Sequence, residues 1–242
     1  MYDIVCCEME TVWGKPLKIN YRLNTNDLDI ATSILSSHFN EYHVEKFSYV
    51  DGDVFIDLGS HIGMWSILMA SRSPTFKVYS YEAIPENYEI IMMNKESNNL
   101  ANLYPFNIAI ADSIIYYPKR PRDKFIGAHR WIGSPQGGDK YIVVPSITLD
   151  EVFDSNKIDR CRVLKTDMEG SEIKAFRDIS ERNLKKIDYV IGEFHPWNVG
   201  INTFYSYFQK HFIDATTLVY EKKGNMNLQN FLYKARRLRN EF

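Results

Sequence analysis

At 242 residues, 45% hydrophobic and 25% charged, the chain has a globular composition and enough length to close a full α/β core. A formal net charge of -2 gives no overall pull toward nucleic acid or anionic lipid. Cys6, Cys7 and Cys161 show no CxxC spacing, which argues against a disulfide framework or a zinc site.

The N-terminal "MYDIVCCEMETVW" lacks the basic start and long apolar stretch of a leader peptide. Ile62 to Ala70, the longest apolar-rich run, is far too short for a bilayer. A cytoplasmic protein with no membrane span is expected. Residues 1–50 read as an extension packed on the core. In it "LKINYRL" alternates like a strand, and Asn and Asp residues ahead of Ile30, Ile34 and Leu35 start a helix. Residues 51–242 read as the main domain. "VDGDVFIDLG" is a turn and a buried strand, "GMWSILMASR" a helix and "KVYSYEA" a second strand. Pro85 opens the next helix at a favoured first-turn position, and "YPFNIAIAD" is a third strand. This alternation predicts a parallel sheet with crossover helices.

"IIYY" and "YIVVPSITL" pair as a small ribbon around a lid-like insertion near 118–140, rich in Gly, Pro and charge. "RVLKTDMEG" is a strand, "SEIKAFRDISERNL" a helix, "DYVIGEFH" a strand and "INTFYSYFQKHF" a helix. The last segment is a hairpin about Gly224-Asn225.

Four stretches carry chemistry. Asp57 ends the first strand, and Gly59 and Gly63 flank Ser60, His61 and Ile62. No Lys follows Gly63, so this is no triphosphate loop. Asp57 stands where a dinucleotide loop has its first glycine. A carboxylate there repels pyrophosphate but suits a ligand with ammonium and sulfonium groups. The alternative is a strand-to-helix turn that needs glycine only for its backbone. Glu82, ending the second strand, can accept ribose hydroxyls, and Ala83 and Ile84 would then flank an adenine. Asp167, Glu169 and Glu172 follow the fourth strand, which lies beside the first. Asp167 there can orient an acceptor, act as a base or hold a hard cation. Glu172 reads as a helix-start carboxylate. Glu193 and His195 end the next strand and share a face. His195 can take a proton near neutral pH. His129 and Trp131 on the insertion, with Trp197, are candidates for an acceptor wall.

Taken in order, "GDVFIDLGSHIGMWSI", "YEAIPENYEIIMMN", "NIAIAD", "VPSITLDEVF" and "LKTDMEGSEIKAF" followed by "VIGEFH" resemble the FkbM-type S-adenosylmethionine-dependent methyltransferases. The resemblance runs from about Asn26 to His195. Its most specific part is the Lys-x-Asp-x-Glu-Gly-x-Glu signature, Lys165 to Glu172. His61 departs from it, standing where many relatives carry Asn. The resemblance implies a Rossmann-like class I methyltransferase three-layer sandwich, with a seven-stranded, mostly parallel sheet and an antiparallel last strand. It also implies S-adenosyl-L-methionine as donor. By position, Asp57, Gly59, Ser60 and Gly63 would hold its methionine end and Glu82 its ribose. Asn107 and Ala109 would border the adenine side, and Asp167 would face donor and acceptor.

The expected reaction is methyl transfer to a hydroxyl oxygen of a small molecule or glycan by in-line displacement. His195 is the first choice of base, with Asp167 and Glu193 next. A divalent cation on Asp167, Glu169 or Glu193 is the less favoured route, because no tight ligand cluster is legible and no metal site is expected. A nucleic acid acceptor is not expected: "DMEG" replaces the (Asp/Asn)-Pro-Pro-aromatic element of base amino-methyltransferases, and no Pro-Cys occurs. The alternatives are a donor-binding scaffold or partner subunit without catalysis, and a nicotinamide-dependent oxidoreductase.

Overall fold

The computed structural model describes residues 2–118 and 141–195, Ser206, Lys210, and the later segments 212–214, 219–223 and 226–235. The insertion with His129 and Trp131, Trp197, most of the predicted helix around His211 and the Gly224-Asn225 turn lie outside the described residues.

Two antiparallel strands open the chain, β1 (Ile4–Glu10) and β2 (Pro16–Arg22), followed by helix α1 (Asp27–Leu35). The alternation of the first segment produces β2 directly: Leu17 and Ile19 point inward while Pro16 and Lys18 face out. The main sheet begins with β3 (Val54–Leu58), α2 (Met64–Arg72), β4 (Lys77–Tyr81), α3 (Pro85–Ser97) and β5 (Leu103–Phe106). After β6 (Ala109–Ile110), β7 (Ile115–Pro118), β8 (Tyr141–Val144) and β9 (Ser146–Ile147) come α4 (Leu149–Ser155), β10 (Cys161–Thr166), α5 (Glu172–Arg177), α6 (Glu181–Leu184) and β11 (Ile187–Phe194). Strands β12 (Phe212–Asp214), β13 (Val219–Lys223) and β14 (Met226–Ala235) close the order.

The sheet runs β12-β14-β11-β10-β3-β4-β5, and β13 pairs with β14. Among the described residues it counts eight strands, seven in that run and β13 beside it, where seven were expected. The five from β11 to β5 are parallel, and β14 lies antiparallel between β11 and β12. Strand β10 is buried along its whole length, as a parallel strand covered on both faces should be.

Register decides where the site falls. Thr166 of β10 sits opposite Leu58 of β3 on one side and Gly192 of β11 on the other. Gly59 to Gly63 and Asp167 leave the sheet at this level, and Glu193 and His195 stand beside them at the end of β11. This is the carboxyl edge, where ligands of open α/β sheets bind.

The third strand differs from expectation. "YPFNIAIAD" splits after Phe106, because Asn107 Nδ2 donates to Glu82 O (2.9 Å) and Ala83 O (3.2 Å), and β6 then pairs in parallel with β9 outside the main sheet. The helix predicted over "SEIKAFRDISERNL" is broken in two. Asp150 accepts from Ser180 N and Oγ, and Ser180 restarts the chain as the cap of α6. Helix α4, unread in the sequence, starts at a Thr148–Glu151 capping box. The "IIYY"–"YIVV" ribbon forms as β7 and β8.

The extension shares one core with the sheet: Leu17, Ile19, Ala31 and Leu35 pack in the cluster that holds Phe55, Trp65 and Val163. Buried Asn94 staples it further. Its Oδ1 accepts from Asn20 N (2.6 Å), and its Nδ2 donates to Asn20 O (3.2 Å) and Ile62 O (2.9 Å). Among the described residues, no helix is long and apolar enough to cross a membrane.

Candidate active site

The glycine loop between β3 and α2 is closed by its own bonds. Gly59 N and Ser60 N donate to Tyr81 O at 3.0 and 3.2 Å. Ser60 Oγ donates to Asp57 O (3.1 Å) and accepts from Ser80 Oγ (2.8 Å). Gly59 has φ +76°, and a Cβ there would stand 2.0 Å from Asp167 O. Glycine is thus required for the loop to pack against the end of β10. Asp57 is wholly buried: Ser66 Oγ donates to its Oδ2 (2.6 Å), and Lys165 Nζ lies 3.1 Å from its Oδ1. Lys165 Nζ also donates to Gly59 O (2.9 Å). Asp57 and Lys165 tie the loop to β10.

Glu82 lies below this loop, 5% exposed, with His61 N donating to Oε2 (2.7 Å) and Ile84 N donating to Oε1 (2.9 Å). Burial pushes its pKa up, against these bonds, the charge of His61 and the Asn87 amide. Ala83, Ile84 and Ala109, the candidates for the adenine side, meet in one small apolar cluster. Tyr117 and Val144 complete it. The sequence marked these two only as ribbon residues.

Two further residues reach the loop from the extension and were missed. Asp27 accepts from Arg22 Nε (2.8 Å) and Nη2 (2.9 Å), and its Oδ1 lies 3.3 Å from His61 Nε2. Both Arg22 and Asp27 are buried. Burial would raise the Asp27 pKa, but the hydrogen bonds and charges of His61 and Arg22 outweigh it and hold it below the carboxylate range. In sequence Asp27 reads as a helix-start residue; its five-residue spacing from Arg22 was the available signal.

At the ends of β10 and β11, Asp167, Glu169, Glu193 and His195 converge. His195 is 4% exposed, and its Nδ1 donates to Glu172 Oε1 at 2.9 Å. Its Nε2 faces Glu169 Oε2 (3.6 Å), Glu193 Oε2 (3.6 Å) and Asp167 Oδ1 (3.9 Å). Burial alone would lower the His195 pKa. The Glu172 hydrogen bond, with the charges of Asp167, Glu172 and Glu169, instead raises it to about 10. Burial raises Glu169 to about 7, against the charge of His195 and with those of Asp167 and Glu172. Burial, with the charges of Asp167 and Glu41, pushes Glu193 well up. Tyr42, also from the extension, donates its hydroxyl to Asp167 Oδ2 (3.3 Å). Glu172 is no surface helix-start residue. It is 1% exposed and accepts from Met168 N (3.0 Å) and Gly170 N (3.1 Å) as well as from His195.

No tight ligand cluster is legible in the sequence, yet the fold brings three candidate ligands together. One ligand atom each from Asp167, Glu193 and His195 lie within 4.8 Å of one another. Residues 167 and 193–195 are far apart in sequence, and only the β10–β11 register joins them.

A family model described as the methyltransferase FkbM domain matches residues 57–224. Methyltransferase 1 of Beauveria bassiana is 20% identical over 170 residues, covering 63% of this chain and 68% of that protein. The hexuronic acid methyltransferase AglP of Haloferax volcanii is 23% identical over 148 residues, covering 60% of this chain and 57% of its own length. Methyltransferase sdnD of Sordaria araneosa is 21% identical over 193 residues, covering 67% of this chain and 74% of that protein. Among solved structures, M. capricolum TrmK with S-adenosylhomocysteine aligns with a TM-score of 0.47 at 10% identity, covering 76% of this chain and 62% of that one.

Proposed function

The chain belongs to the FkbM methyltransferase domain family, and from that premise we propose that it transfers a methyl group from S-adenosylmethionine to a hydroxyl oxygen of a small molecule or glycan. The observation that carries the reading is the contact between Gly59 and Asp167 O, which sets the glycine loop against the carboxylate–imidazole cluster. A donor held by the loop and an acceptor held by the cluster would be neighbours. The hydroxyl and glycan part draws support from AglP, described as a hexuronic acid methyltransferase, at 23% identity.

The residues fit the donor. Glu82 Oε2 accepts from His61 N and retains acceptor capacity for a ribose hydroxyl. Ala83, Ile84 and Ala109 offer an apolar wall for an adenine. Asp57 acts through Lys165 and Ser66, shaping the loop for the methionine end. When bound, S-adenosylmethionine supplies an electrophilic methyl on a sulfonium that is already a good leaving group. The chain has then to align the acceptor oxygen, exclude water and take the hydroxyl proton. Asp167 is the group proposed for that proton, while the carboxylates around His195 raise its pKa to about 10, so that its imidazolium orients the acceptor rather than takes the proton. His129, Trp131 and Trp197 are proposed as the acceptor wall.

Calorimetry with S-adenosylhomocysteine and a mass assay for methylated product over uronic acids, neutral sugars and small hydroxyl compounds test the reading. Donor-product binding with transfer to at least one hydroxyl is expected. Binding with no transfer across the panel favours a scaffold. Tight NADH binding without S-adenosylhomocysteine binding overturns the donor assignment.

A further inference from the structure

We propose that Asp167, Glu193 and His195 form a binding site for one divalent cation of the Mn2+/Mg2+ class, with positions left open for the acceptor oxygen. The imidazole separates this set from an acidic surface patch. Glu172 takes Nδ1, which fixes the ring and turns Nε2 toward oxygens of Glu169, Glu193 and Asp167 at 3.6, 3.6 and 3.9 Å. These gaps are too long for direct hydrogen bonds. They suit ligands sharing an ion: at about 2.1 Å from the metal, neighbouring octahedral ligands lie about 3 Å apart and opposite ones about 4 Å.

Two of the ligands also have an outer partner. Tyr42 holds Asp167 Oδ2, so that Oδ1 is the oxygen facing the ring. Glu172 backs His195. A carboxylate behind the imidazole and hydrogen bonds behind the carboxylates are how proteins orient metal ligands.

A second, separate observation is a surplus of acceptors. Glu172 is 1% exposed, and its Oε2 is buried without a hydrogen-bond partner. Among the described residues, Asp167, Glu169, Glu172 and Glu193 surround one imidazole, while the ammonium of Lys165 is engaged by Asp57 and Gly59 O. A dication answers that surplus, and two carboxylates with one imidazole form a mixed hard and borderline set that Mn2+ accepts. Binding the ion releases any proton on Nε2 to solvent.

The catalytic consequence rests on the donor reading above; the ion site itself does not. With the ion bound, Asp167, Glu193 and His195 would hold it rather than take the proton, and an acceptor hydroxyl on the ion would lose its proton to water or to Glu169. The oxygen's electron pair forms the O–CH3 bond as the S–CH3 bond breaks, and that bond's pair stays on sulfur.

The test is Mn2+ binding by electron paramagnetic resonance on the full chain after chelator treatment, alongside Asp167→Asn, Glu193→Gln and His195→Gln, each checked for folding by circular dichroism. One Mn2+ per chain is expected in the wild type, with affinity lowered about tenfold or more in each variant. His195→Gln removes a buried partner of Glu172, so the two partly exposed carboxylate variants decide if it fails to fold. No Mn2+ binding by the wild type up to about 1 mM, or wild-type affinity in both folded carboxylate variants, overturns the site. A parallel titration with S-adenosylhomocysteine separates the two readings. Mn2+ binding without it sinks the donor assignment alone, and the reverse pattern sinks the ion site alone.

Discussion

Asp57 shows how a residue can sit in a ligand loop and act through others. Its carboxylate is wholly buried and occupied by Ser66 and Lys165. Glu82 is different, because its carboxylate borders the loop and retains acceptor capacity. Glu82→Ala should weaken S-adenosylhomocysteine binding about tenfold or more, the loss expected for hydrogen bonds to a charged group. Unchanged affinity by calorimetry would remove Glu82 from the donor site. Gly59 is limited by space as well as by φ. Gly59→Ala places a methyl 2.0 Å from Asp167 O in a left-handed conformation. It should cost about 2 kcal/mol or more, read as a lower urea midpoint, together with loss of donor binding. A variant with a wild-type midpoint would mean the loop relaxes away from β10 freely.

Between elements, polar side chains do work that periodicity does not reveal. The buried strands and α2 were legible because their apolar runs are long and bounded by glycine or proline. The loop, Glu82 and the two carboxylate-bearing strand ends were legible because each follows a strand. Asn107, Asp150 and Asn94 were not legible: each acts on a segment remote in sequence, and an isolated Asn or Asp carries no sign of its partner. The same holds for Tyr42 and for Arg22 with Asp27, which belong to the extension yet contact Asp167 and His61. Asn94→Ala leaves Asn20 N and Ile62 O without their buried partner. It should destabilise the fold by about 2–4 kcal/mol. Because Asn20 Nδ2 also donates to Asn94 Oδ1 (3.2 Å), Asn20→Ala with Asn94→Ala should cost less than the two separately. Additive losses in denaturant titrations would show that the two act independently.

Across the whole molecule, the extension shares a core with the sheet, and its own buried Arg22–Asp27 pair reaches the glycine loop through the contact of Asp27 with His61. Asp27 has a folded-state pKa below the ordinary carboxylate value. Its contribution to stability is therefore fully present above the unfolded pKa and is lost as the pH falls toward the folded value. Asp27→Asn should cost about 3 kcal/mol at neutral pH, since Arg22 is left buried without its counter-charge. The gap to wild type should narrow as the medium is acidified below pH about 4. Equal acid unfolding curves for the two proteins would show that the pair contributes nothing to linkage.

The antiparallel placement of β14 between β11 and β12 has a further consequence, in the order of synthesis. Strand β11 carries Glu193, yet one of its edges is filled only by residues 226–235, with Phe194 pairing Gln229 and Tyr189 pairing Lys234. On the ribosome that edge stays open while the intervening chain is made, for a few seconds at about 5–20 residues per second. During that interval the nascent chain presents a bare, apolar strand beside an unfinished site, a template for unwanted pairing with a neighbour. Slow decoding between codons 195 and 226 would lengthen the exposure and raise the demand for chaperones, with no change in the finished protein.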